Sequence, residues 1–318
     1  MTAVVLSVDA ELAWGGHGHP ESPRHVETAR DSWSRLLAVL DEFDVPATWA
    51  VVGHLFLPEC DGEHAEHPTP TDDWFGGEPG GRAARSPLWF AGGLVEAIAD
   101  ADADHEIAGQ PFSHVGFDDE RTTREVAVGE TRASLEAAAD AGFSLESFVL
   151  PGNQVAHRDV LAAYGVTCYR GGRPPLWFDD ARLQTLARTV DLTVSKTSPP
   201  LVEPEVDDYG LVNVPASMSL FDFEGRTRTL LERTWDDPMV RAARRGIDRA
   251  ADGDGVFHLW LQPNDLGDDR DFERLRSVLE HLDAVRDETG LPVRTMGEMA
   301  SDLRVADPAT SRMPIGPR

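Results

Sequence analysis

Short apolar runs alternate with amphipathic stretches along most of the chain. The first run begins at Val4 and stops at two carboxylates, Asp9 and Glu11. An apolar run of about 4–8 residues is typical of a strand that is buried on both faces. Residues 26–43 instead carry apolar side chains at the three- and four-residue spacing of a helix. The pattern therefore predicts strands and helices that follow one another.

The same alternation continues to the end of the chain at intervals of roughly 25–40 residues, which is typical of βαβ units and a parallel sheet. Further strands are predicted over residues 46–56, 105–114, 148–151, 167–170, 211–214, 255–263 and 292–295, and further helices over 94–101, 122–141, 160–164, 227–250 and 272–288. We expect an α/β fold in which residues 1–305 form a single (β/α) barrel of seven or eight units. The proline-containing tail, 306–318, is expected to be disordered.

Asp9 and Glu11 end the first predicted strand. Residues two apart on a strand point to the same side, and active sites of parallel α/β proteins lie at the carboxyl ends of the strands. The two side chains therefore predict one base and one metal ligand, unless they are only the solvated acidic end of a strand.

The charge is strongly acidic and is spread along the whole chain. There are 56 acidic against 29 basic residues, giving a formal net charge of −27, and Lys196 is the only lysine. This excess is typical of a salt-adapted protein and argues against nucleic acid or an anionic membrane as partner. We find no signal-peptide pattern and no apolar run near the ~18 residues that span a bilayer, so we expect a cytoplasmic protein.

A long polar segment, 57–87, interrupts the alternation. It carries Cys60, His64 and His67, which are metal-ligand types at short spacing. A structural zinc site normally needs four ligands. We therefore expect this segment to be a flexible cover over the site, and the two cysteines of the chain do not form a disulfide framework.

Five strand ends together resemble the motifs of the polysaccharide deacetylase (NodB-homology) family. The segments are 7–11 (S-V-D-A-E), 106–114 (E-I-A-G-Q-P-F-S-H), 148–153 (F-V-L-P-G-N), 169–171 (Y-R-G) and 258–263 (H-L-W-L-Q-P). The resemblance covers roughly residues 4–303. It implies a distorted (β/α) barrel and metal-dependent hydrolysis of the N-acetyl amide bond of a sugar or glycan.

The resemblance also implies roles for individual residues. Asp9 corresponds to the general base, and Glu11 and His114 to ligands of a divalent metal, often zinc. The first histidine ligand of the family is here Gln110, and the late catalytic histidine is Gln262. A glutamine amide is a weaker zinc ligand than imidazole, and it cannot deliver a proton near neutral pH.

A third departure is Gly152, which stands where the family has an arginine that orients the base, so we expect Asp9 to lose its support. His157 could fold back over the site as a substitute acid, with a plain helix-start residue as the favoured alternative. The resemblance places Asn153 in the site, and Trp14 and Trp89 are candidates for stacking on a sugar.

Three functions remain open on these residues. The chain could be an active deacetylase of an N-acetylated sugar, or a catalytically reduced relative that binds a glycan or a sugar nucleotide. It could also be a hydrolase of a cyclic amide on the same barrel. The sequence leaves the oligomeric state open.

Overall fold

The computed structural model describes residues 1–16, 26–82, 85–118, 120, 122–172, 198–221, 237–253 and 255–306. The strands are β1 Ala3–Ala10, β2 Thr48–Val52, β3 Glu59–Cys60, β4 Gly81–Arg82, β5 Glu106–Gln110, β6 Ser147–Val149, β7 Cys168–Arg170, β8 Glu205–Val206, β9 Val212–Asn213, β10 Met218–Ser219, β11 Val256–Leu261 and β12 Val293–Arg294. The helices are α1 Val26–Glu42, α2 Leu94–Ala99, α3 Arg124–Asp140, α4 Arg158–Ala163, α5 Pro238–Asp252, α6 Asp269–Thr289 and α7 Met296–Ala306.

The main sheet curls into a distorted barrel. Its strand order is β10-β11-β1-β2-β5-β6-β7-β9-β8, with β12 paired to β1. All these pairs are parallel except β8 with β9. Val202, just before β8, forms an isolated antiparallel bridge with Val256 of β11, and both backbone N–H···O distances are 2.8 Å. This bridge joins the two sides of the curled sheet.

Alternation along β1 separates the barrel interior from the helical layer. Val4, Leu6 and Val8 pack in the large core that includes the helices, whereas Val5 packs in a smaller core with residues of β2, β5, β6, β7 and β11. Since side chains two apart share a face, Asp9 lies on the inner face with Val5. The inner face therefore changes from apolar to charged toward the carboxyl ends of the strands, which we call the barrel mouth.

Helix α7 closes the opposite end of the barrel. Met296 and Met299 are buried in the inner core, and the N–H of Gly297 donates to Glu106 Oε2 at 2.9 Å. Thr48 Oγ1 donates to the same carboxylate oxygen at 2.8 Å. Glu106 therefore accepts hydrogen bonds from a strand side chain and from the N-terminus of α7, and a helix N-terminus favours a negative charge.

The predicted α/β barrel is confirmed, with differences in detail. Helix α7 was not predicted, and the 57–87 segment contains the β3–β4 hairpin and packed aromatic rings instead of only irregular chain. Part of the predicted 227–250 helix is observed as α5, whereas residues 227–236 and the expected tail from residue 307 lie outside the described residues. Within the described parts of the chain, no helix is both long and apolar enough to cross a bilayer.

Candidate functional site

A buried ion pair forms the centre of the barrel mouth. Arg170, at the end of β7, donates from Nη1 to Asp9 Oδ1 at 2.6 Å and from Nη2 to Oδ2 at 2.7 Å. The side chains are 1% and 6% exposed, respectively. Two parallel charge-assisted hydrogen bonds fix the plane of a carboxylate as well as its charge. Because of Gly152, we expected Asp9 to have no arginine to orient it. Arg170 of β7 orients it instead.

Three further contacts hold the guanidinium in place. Arg170 donates from Nε to Asn153 Oδ1 at 2.9 Å and from Nη1 to Ser7 Oγ at 3.0 Å. Its Cζ lies 4.8 Å from the centre of the Trp260 ring, within the range of a cation–π interaction. The base, its cation and this aromatic ring therefore form one connected group.

His258 lies below this group and is neutral. Its Nδ1 contacts the carbonyl oxygens of Val214 and Pro215 at 3.2 and 3.1 Å, so this nitrogen carries the hydrogen. Its Nε2 lies 2.9 Å from Ser7 Oγ, which donates to it. Burial, with a smaller contribution from Arg170, lowers the pKa of His258 to about 3. His258 therefore cannot supply a proton near neutral pH, in agreement with its position inside strand β11.

Glu11, Gln110 and His114 meet beside the ion pair. His114 Nε2 lies 3.1 Å from Glu11 Oε1. Gln110 Nε2 donates to the carbonyl of Ala50 at 3.0 Å and lies 3.5 Å from the same Glu11 oxygen. The three predicted metal ligands are therefore neighbours at the barrel mouth.

These residues fit a divalent cation. Atoms bound about 2.0–2.2 Å from one tetrahedral ion lie roughly 3.3–3.6 Å from each other, close to the spacing of Glu11 and His114. Gln110 Oε1 is buried and has no hydrogen-bond partner among the described residues. A buried acceptor without a donor is costly, and a cation would remove this cost. Both Asp9 oxygens are engaged by Arg170, which leaves Asp9 outside the ligand set.

Burial and charge shift the acid–base behaviour of the site. Burial raises the pKa of Asp9, and the charge and hydrogen bonds of Arg170 oppose this shift without cancelling it. Burial also acts to lower the pKa of His114, but Glu11 and then Asp9 and Glu130 outweigh it, so the net shift is upward. Asp9 can therefore hold a proton more readily than an exposed aspartate.

Backbone strain accompanies the site. Leu12, His114 and Asn153 have positive φ angles of 49°, 61° and 53°. Each of these residues follows a strand that ends at the barrel mouth. Such angles are uncommon for residues other than glycine and concentrate at functional sites.

Two predicted catalytic residues are engaged elsewhere. The Gln262 side chain accepts from the backbone N–H of Asp265 in a capping box. His157 Nε2 donates to the carbonyl of Thr122 at 2.7 Å, and its ring lies 6.1 Å from that of Phe117. In these contacts, neither side chain is available as a proton donor to a substrate.

The predicted substrate contacts divide into two groups. Asn153 faces the ion pair through Arg170. Trp14 is fully buried, with its ring 5.0 Å from the half-buried Trp89 and 4.7 Å from His54. A ring without an exposed face cannot stack on a sugar, so this burial argues against the role we predicted for Trp14. Trp260, half-buried on the inner face of β11, is better placed for such a contact.

Sequence reasoning missed the role of Arg170. Cys168 and Arg170 are two apart on a short strand, so they share a face, and Cys168 is fully buried. An arginine on the buried face of a strand is rare unless it is paired. This pattern was the signal that could have identified Arg170.

No protein-family model matches the sequence, and no curated protein matches it either. Solved structures do share the fold. A Mycobacterium smegmatis protein described as a "putative polysaccharide deacetylase" aligns with a TM-score of 0.62 at 18% identity, over 96% of this chain and 90% of that one. The allantoinase PuuE aligns with a TM-score of 0.57 at 14% identity, over 96% and 92%. A Pseudomonas aeruginosa PAO1 protein described as a probable polysaccharide deacetylase aligns at 0.56 and 12%, over 96% and 93%. At these identities the likeness shows the fold.

Proposed function

We propose that this chain hydrolyses the amide bond of an N-acetylated sugar or glycan at the barrel mouth. The observation that carries this proposal is the Asp9–Arg170 ion pair, which holds a buried carboxylate in one orientation beside Glu11, Gln110 and His114. The shared fold supports the proposal, because two of the similar structures are described as polysaccharide deacetylases.

Each residue has a defined task in this reaction. Arg170 fixes the plane of Asp9, and Asp9 accepts the proton of the attacking water, as expected of a positioned general base. Glu11, Gln110 and His114 would hold a divalent cation, with zinc as our first candidate. Such a cation would supply a Lewis acid that polarises the acyl carbonyl. Trp260 offers a ring face to the sugar.

Proton balance requires a donor for the leaving amine. His258 does not titrate near neutral pH, and the side chains of Gln262 and His157 are bound elsewhere. Asp9 can return the proton that it took from water, since burial raises its pKa. The water oxygen forms a C–O bond with the acyl carbon, and the C–N bond then breaks. The proton that Asp9 took from the water leaves on the amine nitrogen, and the acyl group leaves as the carboxylic acid.

A second candidate function is binding without turnover. Its support is the pair of glutamines, because Gln110 offers a weaker ligand than imidazole and Gln262 is held in a helix cap. The site would then recognise an N-acetylated sugar or a sugar nucleotide and leave it intact. In either case, our proposal includes a salt-adapted protein in the cytoplasm. The 56 acidic against 29 basic residues support the adaptation to salt.

The test measures acetate release from N-acetylglucosamine oligomers in high-salt buffer. We expect release by the wild type with added zinc, and loss of release after chelation or in the Asp9→Asn variant. Allantoin is tested in parallel as a cyclic amide. Sugar binding without release would favour the second function. Release that persists in Asp9→Asn would refute the assignment of the base.

A further inference from the structure

A second cluster of metal-ligand side chains lies where the barrel meets residues 57–82 of the long polar segment, which we call the insertion. His54, Cys60, His64 and Glu78 bring one ligand atom each within 4.8 Å of one another. Among the described residues, no other group of three or more His, Cys, Asp or Glu side chains comes this close together. Its members come from separate points of the chain, which is why the sequence identified only two of them, Cys60 and His64, and grouped them with His67.

We propose that His54, Cys60, His64 and Glu78 bind one Zn²⁺ as a structural centre that fastens the insertion to the barrel. This proposal does not depend on the function proposed for the barrel mouth. The donor set contains one sulfur, two imidazole nitrogens and one carboxylate oxygen, all of which zinc accepts. Four protein ligands leave no open position, as is typical of structural sites.

The distances agree with a tetrahedral ion. Cys60 Sγ lies 3.4 Å from His64 Nε2, and His64 Nε2 lies 3.2 Å from Glu78 Oε2. His54 Nε2 lies 4.0 Å from Glu78 Oε1. Atoms bound about 2.0–2.3 Å from a tetrahedral ion lie roughly 3.3–3.8 Å apart, so small shifts would complete the site.

Surrounding contacts orient the ligands. His54 Nδ1 lies 3.3 Å from the carbonyl of Trp89, so this nitrogen carries the hydrogen and Nε2 keeps its lone pair toward the cluster. The N–H of Gly62 donates to Cys60 Sγ at 3.3 Å, and the N–H of Gly80 donates to Glu78 Oε1 at 2.8 Å. Outer contacts of this kind are typical of built metal sites.

Burial separates these groups from water. The side chains of His54 and Glu78 are fully buried, and that of His64 is 10% exposed. The His64 ring stacks on Phe75 with centroids 4.0 Å apart. A buried carboxylate costs much unless it is paired or coordinates a metal, and zinc would satisfy Glu78 together with its three neighbours.

The position of the ligands in the fold indicates what the ion would do. His54 lies in the turn that follows β2, on the barrel, whereas Cys60 belongs to β3 and Glu78 immediately precedes the turn into β4. One ion would therefore link the barrel wall to both sides of the β3–β4 hairpin. His67, which we had grouped with Cys60 and His64, is not part of the set, because its Nε2 lies 2.7 Å from Glu130 Oε1.

The test uses the full chain, depleted of metal by a chelator in high-salt buffer and titrated with Co²⁺ and with Zn²⁺. Co²⁺ is expected to give a thiolate charge-transfer band in the near ultraviolet and tetrahedral bands in the visible. Zn²⁺ is expected to displace Co²⁺ and to raise the melting temperature. Loss of a ligand should weaken binding by more than the roughly 10–100-fold typical of an outer-shell change.

Matched variants identify the ligands. Cys60→Ser should abolish the charge-transfer band, and Glu78→Gln should weaken binding while the band remains. His67→Gln, in the same insertion but outside the set, should bind as the wild type does. His114→Ala removes a ligand at the barrel mouth and should leave the Co²⁺–thiolate band intact. Circular dichroism establishes that each variant is folded.

The proposal is overturned if folded wild-type protein shows no thiolate band, or if the same band survives in Cys60→Ser. It is also overturned if the metal is lost in His114→Ala but retained in Cys60→Ser and Glu78→Gln. In that case, the four side chains only pair with one another.

Discussion

Replacing Arg170 by methionine tests the ion pair on which the proposed chemistry depends. The pair is almost fully buried, with side-chain exposures of 1% and 6%, and Arg170 gives both oxygens of Asp9 a hydrogen bond. Arg170→Met leaves the Asp9 carboxylate buried without its cation. Breaking a buried pair from one side costs about 3–5 kcal/mol. We expect a loss of that size in the free energy of unfolding, measured by urea denaturation in high salt.

The double variant Arg170→Met/Asp9→Leu separates the ion pair from the rest of the packing. Because it removes both charges, we expect it to be more stable than either single variant, although it is inactive. Arg276→Met is the control, since Arg276 makes a similarly bidentate contact with Glu42 on the surface, with both distances 2.6 Å. Exposed pairs contribute little. An Arg170→Met loss as small as that of Arg276→Met, or a double variant no better than the singles, would refute this reasoning.

Three further outcomes are expected. The pKa of His258 is about 3 in the folded state against 6.5 for the free side chain, so the unfolded chain binds a proton between these values that the native state does not. Stability should therefore fall as pH falls from about 6.5 toward 3, by up to roughly 5 kcal/mol from this group, and urea midpoints of His258→Gln should fall less. Gln110→His should bind zinc more tightly at the barrel mouth by calorimetry, because imidazole replaces an amide oxygen; unchanged affinity would remove Gln110 from the ligand set. Gly246→Ala should lower the free energy of unfolding by about 1–3 kcal/mol, because its new Cβ would lie 2.4 Å from the Phe257 ring. Gly172→Ala should not, because among the described residues the atoms nearest to its new Cβ are those of Asn153 at 3.9 Å.

The sequence predicted the positions of the site better than its contacts. Asp9, Glu11 and His114 were expected to converge because parallel strands end at the same edge, and His114 does lie 3.1 Å from Glu11. The support for Asp9 was sought at the Gly152 motif position, whereas it comes from a strand not adjacent to β1 in the sheet. The spacing of motifs along the sequence does not say which side chain of a distant strand reaches across the barrel to Asp9.

The second cluster could not be predicted from the sequence for a different reason. Cys60 and His64 are close in sequence, but Glu78 joins them through the β3–β4 hairpin and His54 through the fold of the barrel. The segment that we expected to be a flexible cover instead packs its rings against one another, as His64 and Phe75 do. Long polar segments conceal such packing because their apolar residues lack a regular period.

Arg170, whose guanidinium pairs with Asp9, belongs to strand β7 of the barrel wall and not to a connecting loop. Loops vary and move more than the strands that they join. Exchange of the segments around the barrel mouth can therefore alter which molecules enter while the carboxylate keeps its direction. Grafting foreign loops onto this barrel offers a route to new substrate preferences in which the charge geometry is inherited unchanged.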